Sequence, residues 1–378
     1  MVIQNEVFQA QWDDTNRHLQ TPDSTLNQKI KKIAWLILSI LIPPIGLVRL
    51  LGYGVAFIAN KIILVGTWCT CREEDEEKQL HFNTFWKCMD VIYAMPSLGI
   101  KTPKVTMEPH TVKTPDGAEL QVKLIQKRQG VVVEDVTIPT VVYFHPNAGF
   151  SEGDALPRFI SGSVFTNCNF VFFNYRGVPG STGTFAASKD LVVDGSSVVQ
   201  WVRKYLQTTP ENIHFYGRSL GGAIALQTKA LDKELTGRLV NVCSFSSLDL
   251  VIKSMIGSCL GSLISWAIRS HGYGIDALSA YKKISGKKLI VFHSKDTLIR
   301  KKAMLHLQVE DSEKLELQVV PQHKKAMEEG GSYHNVPLPY CGNAMDRINC
   351  FLMGIELPIA VPTPIQDPTM VLGNELTA

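Results

Sequence analysis

Ile213-His214-Phe215-Tyr216-Gly217-Arg218-Ser219-Leu220-Gly221-Gly222-Ala223-Ile224-Ala225 begins as a short apolar run of strand type and ends as a helix former. The turn between them, 217–221, spells G-x-S-x-G. A serine on a sharp strand-to-helix turn has its hydroxyl pushed outward and its backbone crowded. Glycines two residues to either side let neighbouring elements come close. The N–H of Leu220 then points to where negative charge on an attacked carbonyl collects, at the start of a helix. The five-residue pattern is weakly specific by itself. The strand before it and the helix after it carry the reading.

Outward from this turn, strands alternate with helices. Residues 140–144 form a continuous apolar run, of the kind buried on both faces of a parallel sheet, and end in His145-Pro146-Asn147-Ala148-Gly149. Residues 169–174 read as another buried strand, ending in Tyr175-Arg176-Gly177, and a helix is expected over 187–206. Three more strands read at 240–245, 288–292 and 315–320. Before all of these, 104–112 and 118–126 are joined by Thr114-Pro115-Asp116-Gly117, a hairpin turn. The expectation is an α/β domain over 101–357: a mostly parallel eight-stranded sheet with an antiparallel leading edge, flanked by helices.

A serine hydroxyl is a poor nucleophile unless a base takes its proton, and the base needs an acid to hold its tautomer. On this kind of sheet the members follow the order Ser, acid, His, each on a loop after a strand. Asp296 fits the acid, in the turn after 289–292. His334 fits the base, in the loop 330–335 after the last strand. Asp249 reads instead as a helix cap or surface residue, His323 as exposed, His293 as lying beside the acid, and His145 as structural. Pro146 has no N–H, so the second donor for an oxyanion is expected from Asn147, beside that of Leu220.

Between the strands at 240–245 and 288–292 lies an insert, 247–287. Ile252, Met255, Ile256, Cys259, Leu260, Leu263, Ile264 and Ala267 recur at helical spacing, with Lys253, Ser254, Gly257, Ser258, Gly261, Ser262 and Ser265 on the other face. One amphipathic helix is expected here, packed over the active-site end of the sheet as a cap whose apolar face suits an acyl chain, or as ordinary core.

The N-terminal third differs in character. The chain is 45% hydrophobic and 19% charged, and the apolar excess lies early. Residues 1–32 are polar and end in Lys29, Lys31 and Lys32; 33–68 is apolar; 33–100 as a whole reads as a membrane-associating helical region and linker. The uncharged run 33–48 makes roughly 24 Å of helix, short of a ~30 Å hydrocarbon core. Pro43-Pro44 breaks it further. A re-entrant or interfacial helix pair on the cytoplasmic side is preferred to a clean span, the alternative being a helical pair packed on the catalytic domain. No signal peptide is visible, and 358–378 reads as a mobile tail. The net charge of +3, without a basic stripe, speaks against a nucleic-acid partner. The eight cysteines include no C-x-x-C pair; Cys69 and Cys71 sit too close for usual zinc spacing, though acylation there is chemically open.

Together, Gly217-Arg218-Ser219-Leu220-Gly221-Gly222-Ala223, His145-Pro146-Asn147-Ala148-Gly149 and Asn174-Tyr175-Arg176-Gly177 resemble α/β-hydrolases of the lipase and protein-depalmitoylase type. With the apolar N-terminal segment, the sequence looks closest to the CHLPS-type family of intracellular bacteria, itself similar to lipase-like effectors of Legionella. The resemblance covers about 104–352. It implies an α/β-hydrolase fold, Ser219 as nucleophile, Asp296 as acid, His334 as base, and the N–H groups of Asn147 and Leu220 as oxyanion donors. It also implies delivery into a host cell. The usual pattern has His-Gly where this chain has His145-Pro146, which stiffens that loop.

The expected function is therefore a membrane-associated serine hydrolase acting on acyl esters, thioesters or lipids, with no metal or cofactor required. Two rivals stand beside it: an idle hydrolase fold serving as a binding or tethering module, and a peptidase of the same fold.

Overall fold

The computed structural model describes residues 105–127, 138–147, 168–178, 180–270, 272–310, 315–321, 332–336, 338 and 341–355. The expectations for 1–100, for Cys69 and Cys71, for His323 and for the tail 358–378 lie outside the described residues. Among the described residues, no helix is long and apolar enough to cross a membrane.

Eight strands form one sheet: β1 Val105–Lys113, β2 Glu119–Lys127, β3 Thr140–Phe144, β4 Asn169–Phe173, β5 Ile213–Arg218, β6 Leu239–Val242, β7 Lys288–Phe292 and β8 Leu315–Gln318. Their order is β1-β2-β4-β3-β5-β6-β7-β8. The first two pairings, β1 with β2 and β2 with β4, are antiparallel, and the remaining five are parallel. This is the arrangement of an α/β-hydrolase sheet. The loops at the carboxyl ends of the parallel strands therefore gather along one rim, where such sheets hold their sites.

The β1–β2 turn closes as its residues dictate. Gly117 takes φ +90°, Thr114 N–H donates to Ala118 O at 2.8 Å, and Thr114 Oγ1 accepts from Ala118 N–H at 2.9 Å. β3, β4 and β5 are buried almost throughout, because both faces of the sheet are covered. Successive residues feed two cores. Val142, Phe144, Val171, Phe173 and Phe215 pack on one side. Val141, Tyr143, Phe170, Phe172 and Tyr216 pack on the other.

The first core is completed by α1 Ser188–Tyr205 and α2 Leu220–Lys229, and the second by α7 Ala344–Met353 through Ile348 and Leu352. Asp190 caps α1, accepting from the N–H groups of Ala186 and Ala187 at 2.8 Å. Shorter helices are α5 Ala277–Tyr281 and α6 Leu305–Gln308.

The insert departs from expectation. It is two helices, α3 Leu248–Ile256 and α4 Ser258–Ser270, broken at Gly257, whose φ of +88° an L side chain resists. A Cβ at Gly261 would stand 2.7 Å from Lys253 Cα, so the helices fold closely on each other. The orientation is also reversed in part. Gly261, Ser265, Ala267 and Ile268 are buried, whereas Met255, Ile256, Leu260 and Leu263 face outward. Small residues bury where one helix backbone approaches another, which displaces the larger apolar side chains to the surface. Two strands end earlier than read. β6 stops at Val242, because Cys243 turns the chain at φ +46°, and β8 stops at Gln318.

Candidate active site

Ser219 occupies the turn between β5 and α2, with φ 51° and ψ −118°, a strained setting for a residue other than glycine. The surroundings hold it there. Its N–H donates to Val242 O at 2.8 Å, and its carbonyl accepts from Ser244 Oγ–H at 2.7 Å. The flanking glycines are sterically required. A Cβ at Gly217 would come within 2.5 Å of Gly221 O, and one at Gly221 would overlap the carbonyl oxygens of Phe144 and His145. The first turn of α2 thus abuts the backbone that leaves β3.

Asp296 lies in the turn after β7. Its Oδ1 accepts from Leu298 N–H at 2.9 Å and Ile299 N–H at 2.8 Å, which leaves Oδ2 for another partner. That partner is His334, in a 3₁₀ turn Tyr333–Asn335. His334 Nδ1 is 2.7 Å from Asp296 Oδ2, and its Nε2 is 3.0 Å from Ser219 Oγ. With the Nδ1 proton donated to the carboxylate, Nε2 is bare and accepts from the serine hydroxyl. Ser219, Asp296 and His334 are each under 9% exposed, so the chain of hydrogen bonds runs largely out of water. The structure brings together three side chains that the sequence spreads over 116 positions.

Leu220 opens α2, where a first-turn amide has no intrahelical carbonyl to meet. Asn147 is an exposed turn residue just past β3. Phe144 at the end of β3 pairs with Gly217, so Asn147 and the serine turn share one rim. His145 is structural: its ring packs on Tyr175 at 4.3 Å, Nδ1–H donates to Pro146 O at 2.9 Å, and Nε2 faces Tyr175 N–H at 3.5 Å. Pro146 thus joins the fixing of this loop through its carbonyl. Arg176, one residue on, donates to Asp194 Oδ1 at 2.7 and 2.8 Å and to Asp116 at 2.5 Å. Burial pushes the Asp194 carboxyl up, to about 6, against the pull of Arg176.

His293 lies beside the acid, as its position implied. Its Nδ1 accepts from Lys295 N–H at 3.0 Å, and its ring meets Tyr333 at 4.4 Å. Burial holds its imidazole below the ordinary range, against the pull of Asp296. Of the two readings of Asp249, cap or surface residue, the cap fails, and the side chain is partly buried in the first turn of α3. Ser247 caps α3, accepting from Leu250 N–H at 3.3 Å, and Asp249 pairs with Arg269 at 2.8 Å. Cys243 is no rival nucleophile, since burial pushes its thiol up to about 12.

Arg218 escapes the sequence reading altogether. It stands immediately before the serine, and its Nη2–H donates to the backbone carbonyl of His334 at 2.9 Å. The Tyr333 ring, seated on His293 with Lys295 Nζ 5.8 Å from its centroid, props the same turn from the acid's strand. No local pattern marks either contact, because both close only across distant loops. Among the described residues, no cluster of His, Cys, Asp and Glu could hold a metal ion.

A model of the Chlamydia CHLPS protein family (DUF818) matches residues 11–341, and the chain belongs to that family. Uncharacterized protein R595 of Acanthamoeba polyphaga mimivirus is 30% identical over 48% of this chain. Protein bem46 of Schizosaccharomyces pombe is 32% identical over 34% of it. The chain spans 62% and 42% of the length of these relatives. Among solved structures, an acetyl xylan esterase from Paenibacillus sp. R4 aligns with a TM-score of 0.49 at 12% identity, over 73% of this chain and 94% of that one. A Pyrococcus furiosus esterase aligns with a TM-score of 0.48 at 16% identity, over 66% and 91%.

Proposed function

We propose that this member of the CHLPS family is a serine hydrolase that cleaves acyl esters or thioesters. The observation that carries the reading is the hydrogen-bonded series Ser219 Oγ, His334 Nε2, His334 Nδ1, Asp296 Oδ2, at 3.0 and 2.7 Å. Ser219 Oγ attacks the acyl carbonyl while His334 Nε2 takes its proton. The charge on the carbonyl oxygen falls to the N–H groups of Leu220 and Asn147. His334 then gives its proton to the departing alcohol or thiol, leaving an acyl ester on Ser219. Water, deprotonated by the same imidazole, releases the acid and restores the serine. Asp296 stays ionised throughout and stabilises the imidazolium.

Membrane association through 33–68 belongs to the same reading: an apolar N-terminal segment would keep the enzyme near acylated substrates. The deciding experiment is labelling with a fluorophosphonate probe. The wild-type chain should label and Ser219→Ala should not; labelling that survives the substitution refutes the assignment.

A further inference from the structure

The two helices of the insert carry their large apolar side chains outward. Met255 and Ile256 end α3, and Leu260, Leu263 and Trp266 recur every third residue along α4. Leu298, two residues beyond Asp296, is exposed in the turn that is hydrogen-bonded to α3 through Arg300. These six are between 44% and 57% exposed. Single exposed apolar residues are ordinary, but six on one hairpin and its neighbouring turn form a patch that water does not favour.

The patch is tied to the catalytic rim. Arg300, in the turn that carries Asp296, donates from Nη1 to Ser254 O at 2.7 Å, one residue before Met255. The same turn supplies charge. Lys295, Arg300, Lys301 and Lys302 are all exposed, and among the described residues Lys301 and Lys302 meet no carboxylate. Arg269, at the far end of α4, is neutralised by Asp249, so the cations collect on the side nearer the acid. An apolar stripe along a helix with cations at its border matches a surface that is apolar beneath and anionic above.

We propose that the outer face of the α3–α4 hairpin, with the cations of the 295–302 turn, docks on an anionic lipid surface. Docking would set the serine rim against that surface, so that acyl chains reach Ser219 without crossing water. The delivery step rests on the hydrolase reading; the docking itself does not.

The test uses the full chain with vesicles of phosphatidylcholine alone or mixed with phosphatidylglycerol, part of the phosphatidylcholine carrying brominated acyl chains. Bromine quenches indole fluorescence on contact, so the Trp266 contribution is the difference between wild type and Trp266→Phe. That difference should be quenched on anionic vesicles, whatever 33–68 does. Lys301→Gln with Lys302→Gln should lower the apparent affinity of this Trp266 signal about 30-fold at low salt. Leu260→Ser with Leu263→Ser should lower it at least about tenfold. Equal quenching in wild type and Trp266→Phe overturns the proposal, as does equal binding to neutral vesicles. A hairpin variant that turns a dimer into a monomer in sedimentation, with vesicle binding unchanged, also overturns it and assigns the face to a second copy. Hydrolysis of a soluble short-chain p-nitrophenyl ester is followed in parallel. It should be unchanged in the hairpin and lysine variants, and its loss in Ser219→Ala reads the catalytic assignment separately.

Discussion

Arg218 offers the sharpest quantitative test of how the site is held. Its guanidinium donates to the carbonyl of His334 at 2.9 Å and so fixes the backbone of the residue whose imidazole must sit 3.0 Å from Ser219 Oγ. Arg218→Met keeps the aliphatic stem and removes the donors; Arg218→Lys returns the charge with a shorter, unforked reach. A hydrogen bond from a charged donor is worth about 1.5–3 kcal/mol. At about 1.4 kcal/mol per tenfold, its loss would lower the fraction of chains with the imidazole in place by about 10- to 100-fold. Solvent reaches the half-buried guanidinium, which favours the lower end, about tenfold. The assay is the steady-state hydrolysis of a short p-nitrophenyl ester, with a thermal melt alongside. The fall should appear in kcat with KM unchanged, because Arg218 touches the histidine turn and not the acyl group. The shape of the pH profile should persist, and Lys should recover part of the rate. A Met variant with wild-type kcat and wild-type melting would refute the positioning role. A loss carried wholly by KM would do the same.

Other outcomes follow from the same geometry. Asp296→Asn should keep the fold but present the wrong hydrogen to His334 Nδ1, dropping kcat by about 10⁴-fold; retention of even a tenth of the rate in the same ester assay would be inconsistent with the assigned role. Gly221→Ala should destabilise by about 1–3 kcal/mol, since its Cβ would meet the carbonyls of Phe144 and His145 and α2 must shift; a differential melt checks this, and an unchanged midpoint counts against the close approach. His214 predicts an acid-sensitive window. Burial, with Arg238 and Lys229, lowers its imidazole from 6.5 to about 4. The unfolded chain therefore binds more protons between those values, so stability is full above about pH 6.5 and falls as pH drops towards 4, by up to about 3 kcal/mol. His214→Asn, whose side-chain carbonyl can still accept from Arg238 N–H, should flatten urea-melt stability across that interval; an unaltered slope would show that other groups control it.

Much of the architecture was legible because it is written in local periodicity. The runs at 141–144 and 170–173 are apolar at every step, as a sheet covered on both faces requires, and they make up β3 and β4 after their first residues. The spacing of Gly217 and Gly221 around Ser219 announces a backbone crossing that no side chain could survive, and the close approach to the strand end at Phe144 is there. The chain order Ser219, Asp296, His334, each past a strand, named three residues that form one hydrogen-bonded series through His334. In each case the information sits within a few residues, or in the order of the chain.

What the tertiary structure alone decided is who faces whom. The pattern from Ile252 to Ala267 shows that an apolar stripe exists, yet periodicity is indifferent to whether that stripe meets a core or solvent. Packing resolved it by burying Gly261 and Ser265 and turning Leu260, Leu263 and Trp266 outward. Arg218 reads in sequence as an unremarked letter between a glycine and a serine. Its use depends on a carbonyl 116 residues away, brought there by strand order and loop closure. Local propensity acts over one helical turn or one pleat, whereas such contacts arise only when the whole sheet has assembled.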